Sequence, residues 1–416
     1  MRKRILLLAA TTGYQLRAFE EAARRLEMDV VLATDRCHQL DDPWGDQAIP
    51  VRFDRPEESL AALLEAAPFD GVAAAGDRPA YLGALAAERL GLPYGPPAAV
   101  YACRDKYRMR ERFRAAGLKL PEYFVVRADE APEACAGRAL YPCVLKPLGL
   151  SGSQGVIRAD TPGQFAAAFR RIRAILESAE IRRLREPMHR YIQVERYIPG
   201  REFALEGLVT EGKLQALALF DKPDPLEGPY FEETIYVTPS REPAAVQEAI
   251  LRVAQEAVGA LGLRHCPVHA EMRVNAEGVW MLELAPRPIG GLCARALRFQ
   301  DGSTLEEVVL RHACAEAVSG MRLAPGASGV MMIPVPRAGI YEGVDGVGDA
   351  RTVPGIEDVV ITAVAGQRLL PLPEGSSYLG FLFARGASPA QVEHALRLAH
   401  ARLHFRITAT LPVLRA

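Results

Sequence analysis

The chain has 416 residues, of which 49% are hydrophobic and 24% are charged. These fractions are typical of a folded globular protein, and the length predicts two to four packed units. Fifty basic residues stand against 51 acidic ones, for a net charge of −1. This balance argues against a nucleic acid or an anionic membrane as the main partner.

The sequence lacks the signals of secretion or membrane insertion. The apolar run Ile5–Ala10 is too short for a signal core, and Thr11-Thr12-Gly13 follows it with no cleavage site. No stretch reaches the ~18–20 apolar residues of a spanning helix. The seven cysteines form no CxxC pair, and their number is odd. We therefore expect a cytoplasmic protein with reduced thiols.

The first hundred residues alternate between strand and helix patterns. Strand Ile5–Ala9, helix Gln15–Leu26 and strand Val30–Ala33 predict a βαβ unit with a parallel sheet. Further elements are predicted at Ser59–Ala67 (helix), Gly71–Ala75 (strand) and Pro79–Leu90 (helix). Thr11-Thr12-Gly13 lacks the glycine fingerprint of dinucleotide sites, which disfavours an oxidoreductase.

The rest of the chain mixes strands with a few long helices. Helices are predicted at Arg104–Ala116, Pro162 to about Arg185, Ala244–Leu261 and Pro389–His404, and early strands at Tyr123–Val126 and Cys143–Lys146. Between residues 192 and 284 strands dominate. The section from about 322 to 416 predicts a small α+β unit.

A glycine-rich loop follows the strand that carries Lys146. Its residues Gly149–Gly155 include Ser151, Gly152, Ser153 and Gly155. Such a loop exposes backbone N–H groups to phosphates, and the lysine adds a point charge. A mobile hairpin turn explains the loop equally well. Lys106, at the start of a charged helix, is usually solvated in such a position but could point into a cleft.

The segment Gln193–Phe203 combines an acidic strand end with a Pro-Gly turn. Backbone groups of Arg196, Tyr197 and Ile198 could read the edge of a purine, and Glu195 and Glu202 could accept from an amine or from ribose hydroxyls. An ordinary strand–turn–strand would be favoured if this segment stood alone.

Two glutamates carry the strongest chemical argument. Two strands flank the turn Asn275–Gly278, and with the turn centred on Glu277, Glu271 and Glu283 lie opposite each other. Carboxylates paired in this way repel unless a cation separates them, and Mg²⁺ is commonly held by such a pair with nucleotide phosphates. Two solvent-facing carboxylates are the alternative, which the apolar flanks weaken.

Arg287 stands between two prolines just after Glu283. Its position suits recognition of a phosphoryl group or an oxyanion, and Gly290-Gly291 would let a substrate approach the backbone. Cys266 and His269 lack two further ligands at usable spacing, so a zinc site is discounted.

Taken in chain order, these motifs resemble those of the ATP-grasp superfamily over nearly the whole chain. The resemblance implies that Lys106 and Lys146 bind nucleotide and that Gly149–Gly155 covers its phosphates. It also implies an adenine and ribose site at Glu195–Ile198 and Glu202. Glu271 and Glu283 would be magnesium ligands, and Arg287 would face an acyl phosphate.

The resemblance implies three domains. A doubly wound α/β domain would span residues 1–103, and a small α+β cap would span 322–416. Between them the ATP-grasp domain, 104–321, would have a smaller lobe at about 118–194 and a larger lobe at about 195–321.

Within the superfamily the chain is most similar to L-amino acid ligases. Phe231–Ser240 resembles their substrate segment, with Glu233 meeting an amino group and Tyr236 in place of a more usual histidine. Ser376–Phe381 resembles their extra domain. Ala285 departs from the usual asparagine of the metal motif, so metal binding would rest on the two glutamates and on phosphate oxygens.

The implied activity is ATP-dependent joining of a carboxylate and an amine through an acyl phosphate, with release of ADP and phosphate. Cofactors would be ATP and Mg²⁺, or Mn²⁺, and partners small molecules, with amino acids expected among them, and a second copy in a homodimer. No residue stands out as the base for the amine. An ATP-grasp enzyme that uses bicarbonate or formate, or a nucleotide-binding module without turnover, remains an alternative.

Overall fold

The computed structural model describes residues 2–10, 15–35 and 48–409. Contacts divide the chain into two compact units. The first comprises Met1–Leu120, Phe203–Leu219 and Glu242–Pro325, and the second comprises Pro121–Glu202, Phe220–Arg241 and Gly326–Ala416. The predicted turn Thr11-Thr12-Gly13 and Cys37 lie outside the described residues. The domain boundaries remain a prediction.

Secondary structure alternates regularly over the first 120 residues. The elements are β1 (Arg4–Ala9), α1 (Leu16–Arg25), β2 (Asp29–Thr34), β3 (Ile49–Pro50), α2 (Pro56–Glu65), β4 (Gly71–Ala75), α3 (Asp77–Leu90), α4 (Pro97–Arg104) and α5 (Lys106–Ala115).

Strands dominate the next segment, to residue 241. The elements are β5 (Tyr123–Arg127), α6 (Pro132–Ala136), β6 (Cys143–Pro147), β7 (Ile157–Ala159), α7 (Pro162–Glu177), α8 (Ala179–Arg182), β8 (Tyr191–Arg196), β9 (Arg201–Thr210), β10 (Lys213–Asp221) and β11 (Ile235–Thr238), with a 3₁₀ turn at Pro187–Arg190.

The last segment begins with the longest helix. The elements are α9 (Ala244–Leu261), β12 (His265–Asn275), β13 (Gly278–Ala285), α10 (Leu305–Ala313), β14 (Ala327–Ile333), β15 (Gly339–Asp345), α11 (Val347–Arg351), β16 (Ile356–Ile361), β17 (Arg368–Leu369), β18 (Gly380–Gly386), α12 (Pro389–His400) and β19 (His404–Thr408), with a 3₁₀ turn at Cys293–Ala296. Among the described helices, none has both the length and the apolar character needed to cross a bilayer.

The first unit contains two sheets around one core. The parallel sheet has the order β3-β2-β1-β4, with Leu7 of β1 between Leu32 and Ala73. This confirms the predicted βαβ arrangement. The other strands of this unit are hydrogen-bonded in the order β13-β12-β9-β10, as part of a larger sheet. Buried residues of both sheets and of α3, α5 and α9 form a single apolar cluster, so a rigid core supports the strand ends that carry the polar residues described below.

The second unit has three antiparallel groups of strands. Strands β5-β8-β6-β7 form one sheet, and α7 buries Phe165, Phe169 and Ile172 in its core. Strands β11-β14-β18-β16 are hydrogen-bonded in that order over a core that includes residues of α12, and β17-β15-β19 form a small separate sheet. The predicted α+β character of the C-terminal section is confirmed.

Three predicted helices are shorter than expected. The helix predicted at Arg104–Ala116 is divided because Asp105 is extended and caps α5, accepting from Tyr107 N at 3.0 Å and Arg108 N at 3.1 Å. The helix predicted to reach Arg185 ends at Glu177, where the extended Ser178 starts a new turn. The last helix ends at His400, since His404 begins β19.

Two histidines stack in the interior of the first unit. The rings of His265 and His312 lie 3.8 Å apart at an angle of 4°. His265 Nε2 is 2.8 Å from the His312 carbonyl oxygen, and His312 Nε2 is 2.9 Å from Thr210 Oγ1. Burial, together with the neighbouring His265, lowers the pKa of His312 to about 3. Because two stacked imidazolium ions would repel, the pair is neutral at pH 7.

Acid should therefore destabilise this unit. The folded protein resists protonation of His312, whereas the unfolded chain binds a proton below about pH 6.5, so stability present at pH 7 is lost as pH falls toward 3. We expect His312→Phe to remove about 2 kcal/mol of the decrease in unfolding free energy between pH 7 and pH 5. Urea unfolding of both proteins at the two pH values measures this difference. Equal decreases in both proteins would contradict it.

Candidate active site

The hairpin β12–β13 places two carboxylates opposite each other. Its tight turn, Ala276–Glu277, pairs Asn275 with Gly278, and an unbroken ladder from there would set Glu271 opposite Leu282. A bulge between Glu271 and Met272 shifts the register by one residue, so that Glu271 pairs with Glu283. The predicted pairing is confirmed, but the turn is centred between Ala276 and Glu277, and the bulge restores the register.

Cationic groups flank both carboxylates. Lys106 Nζ is 3.7 Å from Glu283 Oε2, and its side chain is only 11% exposed. His269 Nε2 is 3.4 Å from Glu271 Oε1. Lys106 is the first residue of α5, where the Asp105 cap fixes the start of the helix. The first unit thus brings together three of the predicted site residues: Lys106, Glu271 and Glu283.

His269 is charged at neutral pH. Burial lowers its pKa, but hydrogen bonds to Glu206 and Glu271, with the negative charge of both, raise it to about 9. Burial raises the pKa of Glu206, and the hydrogen bond and charge of His269 oppose that rise. The imidazolium therefore lies between two carboxylates.

Arg287 is held by an acid at the start of α3. Its Nε donates to Asp77 Oδ1 at 2.8 Å, and its Nη1 donates to the Pro288 carbonyl at 3.1 Å. Burial alone would raise the pKa of Asp77, but the charge and hydrogen bond of Arg287 outweigh it and lower that pKa. Glu283 also favours the charged form of Arg287. The guanidinium is therefore fixed near the carboxylate pair.

The glycines after Arg287 leave space beside the backbone. Gly290 is exposed, and a Cβ built there meets no described atom within 4 Å. Gly291 has φ +61°, a conformation that favours glycine. The role of Gly290 and Gly291 in admitting a substrate remains a prediction.

In the second unit, Lys146 is buried against an acid. Its ammonium forms an ion pair with Glu195, whose Oε1 accepts from Gln193 Nε2 at 2.6 Å. Gln193 is fully buried, and its Oε1 has no hydrogen-bond partner among the residues that the structure describes. Strands β6 and β8 pair Lys146 with Gln193, which explains why these groups meet. The lysine predicted for phosphates thus contacts the glutamate predicted for adenine.

The glycine-rich loop is attached to the C-terminal section of the same unit. Gly155 N donates to the Pro373 carbonyl at 2.9 Å, and Gln154 Nε2 donates to the Glu374 carbonyl at 2.7 Å. The Glu374 carboxylate in turn forms a bidentate pair with Arg171 on α7. Each contact lies within the second unit, so the loop is held at its C-terminal end.

The loop backbone itself is left-handed at three positions: Gly152 (φ +62°), Ser153 (φ +56°) and Gly155 (φ +73°). Ser151 and Gly152 are exposed at its tip. Loop tips of this kind are able to move without disturbing the core.

The predicted purine-reading backbone is partly occupied. Arg196 N donates to the Glu122 carbonyl and Tyr197 N to the Pro142 carbonyl, at 2.9 and 2.8 Å. These two N–H groups are therefore committed within the protein. The recognition of a purine by this segment remains a prediction.

A buried lysine joins the next two predicted residues. Lys222 Nζ lies 2.8 Å from Glu202 Oε1, contacts Glu233 as well, and stands 5.0 Å from the centre of the Tyr236 ring. The Lys222 side chain is 3% exposed and that of Glu233 is 16% exposed. Two carboxylates therefore contact one ammonium.

The sequence argument missed Asp77, Gln193 and Lys222. Asp77 follows the carboxyl end of a parallel strand, a place where functional residues concentrate, and that signal could have identified it. Gln193 lies in the apolar strand β8 and Lys222 directly follows the strand β10, and a polar residue beside apolar strand residues is the signal that was available.

Three models of known protein families match successive parts of the chain. A model of the ATP-grasp N-terminal domain matches residues 19–94, one of the ATP-grasp domain matches 139–296, and one of L-amino acid ligase C-terminal domain 2 matches 331–408. The chain is 25% identical over 318 residues to ATP-grasp enzyme fsqD of Aspergillus fumigatus, covering 65% of this chain and 53% of that protein.

Two further relatives are ligases by name. Alanine–anticapsin ligase of Bacillus amyloliquefaciens is 29% identical over 221 residues, 50% of this chain and 46% of that protein. The chain thus spans about half the length of these curated relatives. The crystal structure of L-amino acid ligase from Bacillus licheniformis has a TM-score of 0.82 at 26% identity, covering 98% of this chain and 99% of that one.

The chain therefore contains an ATP-grasp N-terminal domain and an ATP-grasp domain, and the predicted fold class is confirmed. Its C-terminal region carries the L-amino acid ligase C-terminal domain 2, so the predicted similarity to L-amino acid ligases is confirmed as well.

The Asp77–Arg287 contact predicts strong coupling between two distant positions. A hydrogen bond between charged groups contributes about 1.5–3 kcal/mol, so Asp77→Ala and Arg287→Ala should each lower the unfolding free energy. In a double-mutant cycle we expect a coupling energy of about 1.5–3 kcal/mol. Guanidinium unfolding of the four proteins measures it. Additive effects, within about 0.5 kcal/mol, would contradict the contact.

Proposed function

We propose that the protein is an ATP-dependent carboxylate–amine ligase that forms an amide through an acyl phosphate, with an amino acid as one substrate. The observation that carries the proposal is the opposed pair Glu271 and Glu283, with Lys106 and Arg287 beside it. A homodimer remains a prediction.

The carboxylate pair fits a divalent cation. Both glutamates are partly exposed, with side-chain exposures of 24% for Glu271 and 29% for Glu283. Mg²⁺ is usually bound by one or two carboxylates, and phosphate oxygens and water complete its coordination. When bound there, Mg²⁺ would neutralise the phosphate charge that otherwise repels an attacking carboxylate.

The nucleotide has donors and acceptors to meet in the second unit. Lys146 offers an ammonium to phosphates, and the N–H groups of Ser151, Gly152 and Ser153 lie along the loop predicted to cover them. The vacant acceptor Gln193 Oε1 is suited to an exocyclic amine such as that of adenine. We assign adenine recognition to Gln193 together with the carbonyl groups of Arg196–Ile198, and ribose recognition to Glu202.

We assign the amine substrate to the group formed by Lys222, Glu202, Glu233 and Tyr236, called the Lys222 cluster below. Of its two carboxylates, Glu233 is the more exposed. An α-ammonium group would meet Glu233, with the Tyr236 ring beside it. Phe220 packs against Tyr236 at 5.7 Å between ring centres, which fixes that ring.

The reaction then follows from charge placement. A substrate carboxylate oxygen attacks the γ-phosphorus of ATP, and the bond to ADP breaks. The amine attacks the carbonyl carbon of the acyl phosphate, loses a proton and expels phosphate. Arg287, held by Asp77, stabilises the oxyanion of the tetrahedral intermediate. Relatives named as ligases and the likeness to an L-amino acid ligase structure support this assignment.

The direct test is release of ADP and phosphate with Mg·ATP and amino acids, singly and in pairs, with mass spectrometry of the product. Bicarbonate and formate serve as alternative substrates. We expect release to require an amino acid and to be lost in Glu283→Ala. Glu277→Ala, which removes an exposed glutamate from the turn of the same hairpin, should leave it unchanged. Release that depends on bicarbonate or formate alone would overturn the proposal.

The Lys222 cluster predicts a separable effect on the amine. Glu233→Gln keeps the shape but removes the negative charge, so the KM for the amine should rise at least tenfold, as expected for a lost charged contact of about 1.5–3 kcal/mol. The KM for ATP should change little. Steady-state kinetics with each substrate varied in turn measures both constants. An unchanged amine KM would contradict the assignment of Glu233.

Ala285 predicts that metal binding can be improved. It is paired with His269 in the hairpin and lies two residues after Glu283, the place of asparagine in the related motif. Ala285→Asn adds an oxygen donor, so half-maximal activity should need severalfold less Mg²⁺. A magnesium titration of the two proteins measures this. A folded variant with the same or a higher requirement would contradict it.

A further inference from the structure

One carboxylate of the first unit is completely buried yet takes no part in the proposed chemistry. Glu206 lies on β9 with 0% exposure. Its Oε2 is 3.1 Å from His269 Nδ1 on the neighbouring strand β12. The Ile289 N–H donates to both of its oxygens, at 3.1 and 3.2 Å. Burying a charge is costly unless it is paired and hydrogen-bonded, and Glu206 meets both conditions.

Each contact leads toward a proposed functional residue. Through His269, whose other ring nitrogen lies 3.4 Å from Glu271 Oε1, Glu206 is linked to the carboxylate pair. Through Ile289 it fixes the backbone two residues after Arg287. The carbonyl group of the same residue is also held, since Gln15 Nε2 donates to it.

The ring of His269 links two carboxylates. Its Nδ1 lies 3.1 Å from Glu206 Oε2, and its Nε2 lies 3.4 Å from Glu271 Oε1. The Glu206 carboxylate fixes the plane of the ring, and the ring fixes the carboxylate of Glu271. Groups that orient a metal ligand in this way commonly change metal affinity or activity by about 10–100-fold when altered.

We propose that Glu206 is a positioning residue that orients Glu271 through His269 and, through the Ile289 N–H, sets the backbone that carries Arg287. This inference rests on the proposed function, in which Glu271 binds the cation and Arg287 faces the reacting group. The buried carboxylate of Glu206 thus supports both the proposed cation ligand Glu271 and the backbone next to Arg287.

The test measures metal binding directly. Binding of Mn²⁺ in the presence of ADP is followed by electron paramagnetic resonance for the wild type and for Glu206→Gln, which keeps the shape and one acceptor for Ile289. We expect Mn²⁺ affinity to fall about 10–100-fold. Glu306→Gln, which neutralises another buried glutamate of the same unit, should bind as the wild type does. Glu271→Gln gives the reference for a lost ligand.

The Mn²⁺ measurement distinguishes failure of the proposed function from failure of the positioning role of Glu206. If the wild type binds no Mn²⁺ with ADP, the proposed function fails. If it binds and Glu206→Gln binds equally well, only the positioning role is overturned. Kinetics adds a second readout, because a rise in the Mg²⁺ requirement with an unchanged KM for ATP marks the loss of orientation.

A second variant keeps the inference testable if Glu206→Gln does not fold. His269→Gln breaks the same link from the other side and should weaken Mn²⁺ binding similarly, and the double variant should lose little more than either single one. Circular dichroism establishes that each protein is native at the measuring temperature. If neither single variant folds, Glu206 supports the fold rather than the ligand, and the inference is overturned.

Discussion

The arrangement of charged residues in the first unit depends on the repulsion between the carboxylates of Glu271 and Glu283. The bulge in the hairpin sets Glu271 opposite Glu283, an arrangement that is unfavourable without positive charge nearby. Lys106 and His269 supply part of that charge from two different elements. Both glutamates are still partly exposed. The site is therefore built at some cost in stability, which a bound metal and nucleotide would offset.

The second unit depends on close backbone packing around the loop that follows Lys146. At Gly155 a Cβ would stand 2.7 Å from Pro147 Cγ, and φ is +73°, so only glycine fits there. The hydrogen bond from Gly155 N to the Pro373 carbonyl then joins the loop to the C-terminal section. A region that resembles the L-amino acid ligase C-terminal domain thus holds a loop assigned to phosphate binding.

Local patterns predicted much of this protein. Alternation of strand and helix indicated the parallel sheet, and hairpin symmetry indicated that Glu271 meets Glu283. Contacts between segments distant in sequence were beyond such patterns: nothing local shows that Lys222 joins two predicted acids. The division of the helix at Asp105 was accessible, since aspartate is a preferred N-cap, but the charged pattern on both sides concealed it. The bulge between Glu271 and Met272, which restores the register, is evident only from the backbone of the folded protein.

The proposed reaction requires an acyl phosphate, because the cation assigned to Glu271 and Glu283 and the ammonium of Lys146 serve attack of a carboxylate on phosphorus. Transfer of ¹⁸O from the carboxylate of a labelled amino acid substrate to the released phosphate tests this most directly. The account predicts one ¹⁸O atom in each phosphate formed with the amide product, seen by mass spectrometry. Phosphate without label, accompanied by amide formation and ADP, would contradict it, because the carboxylate would then have been activated in another way.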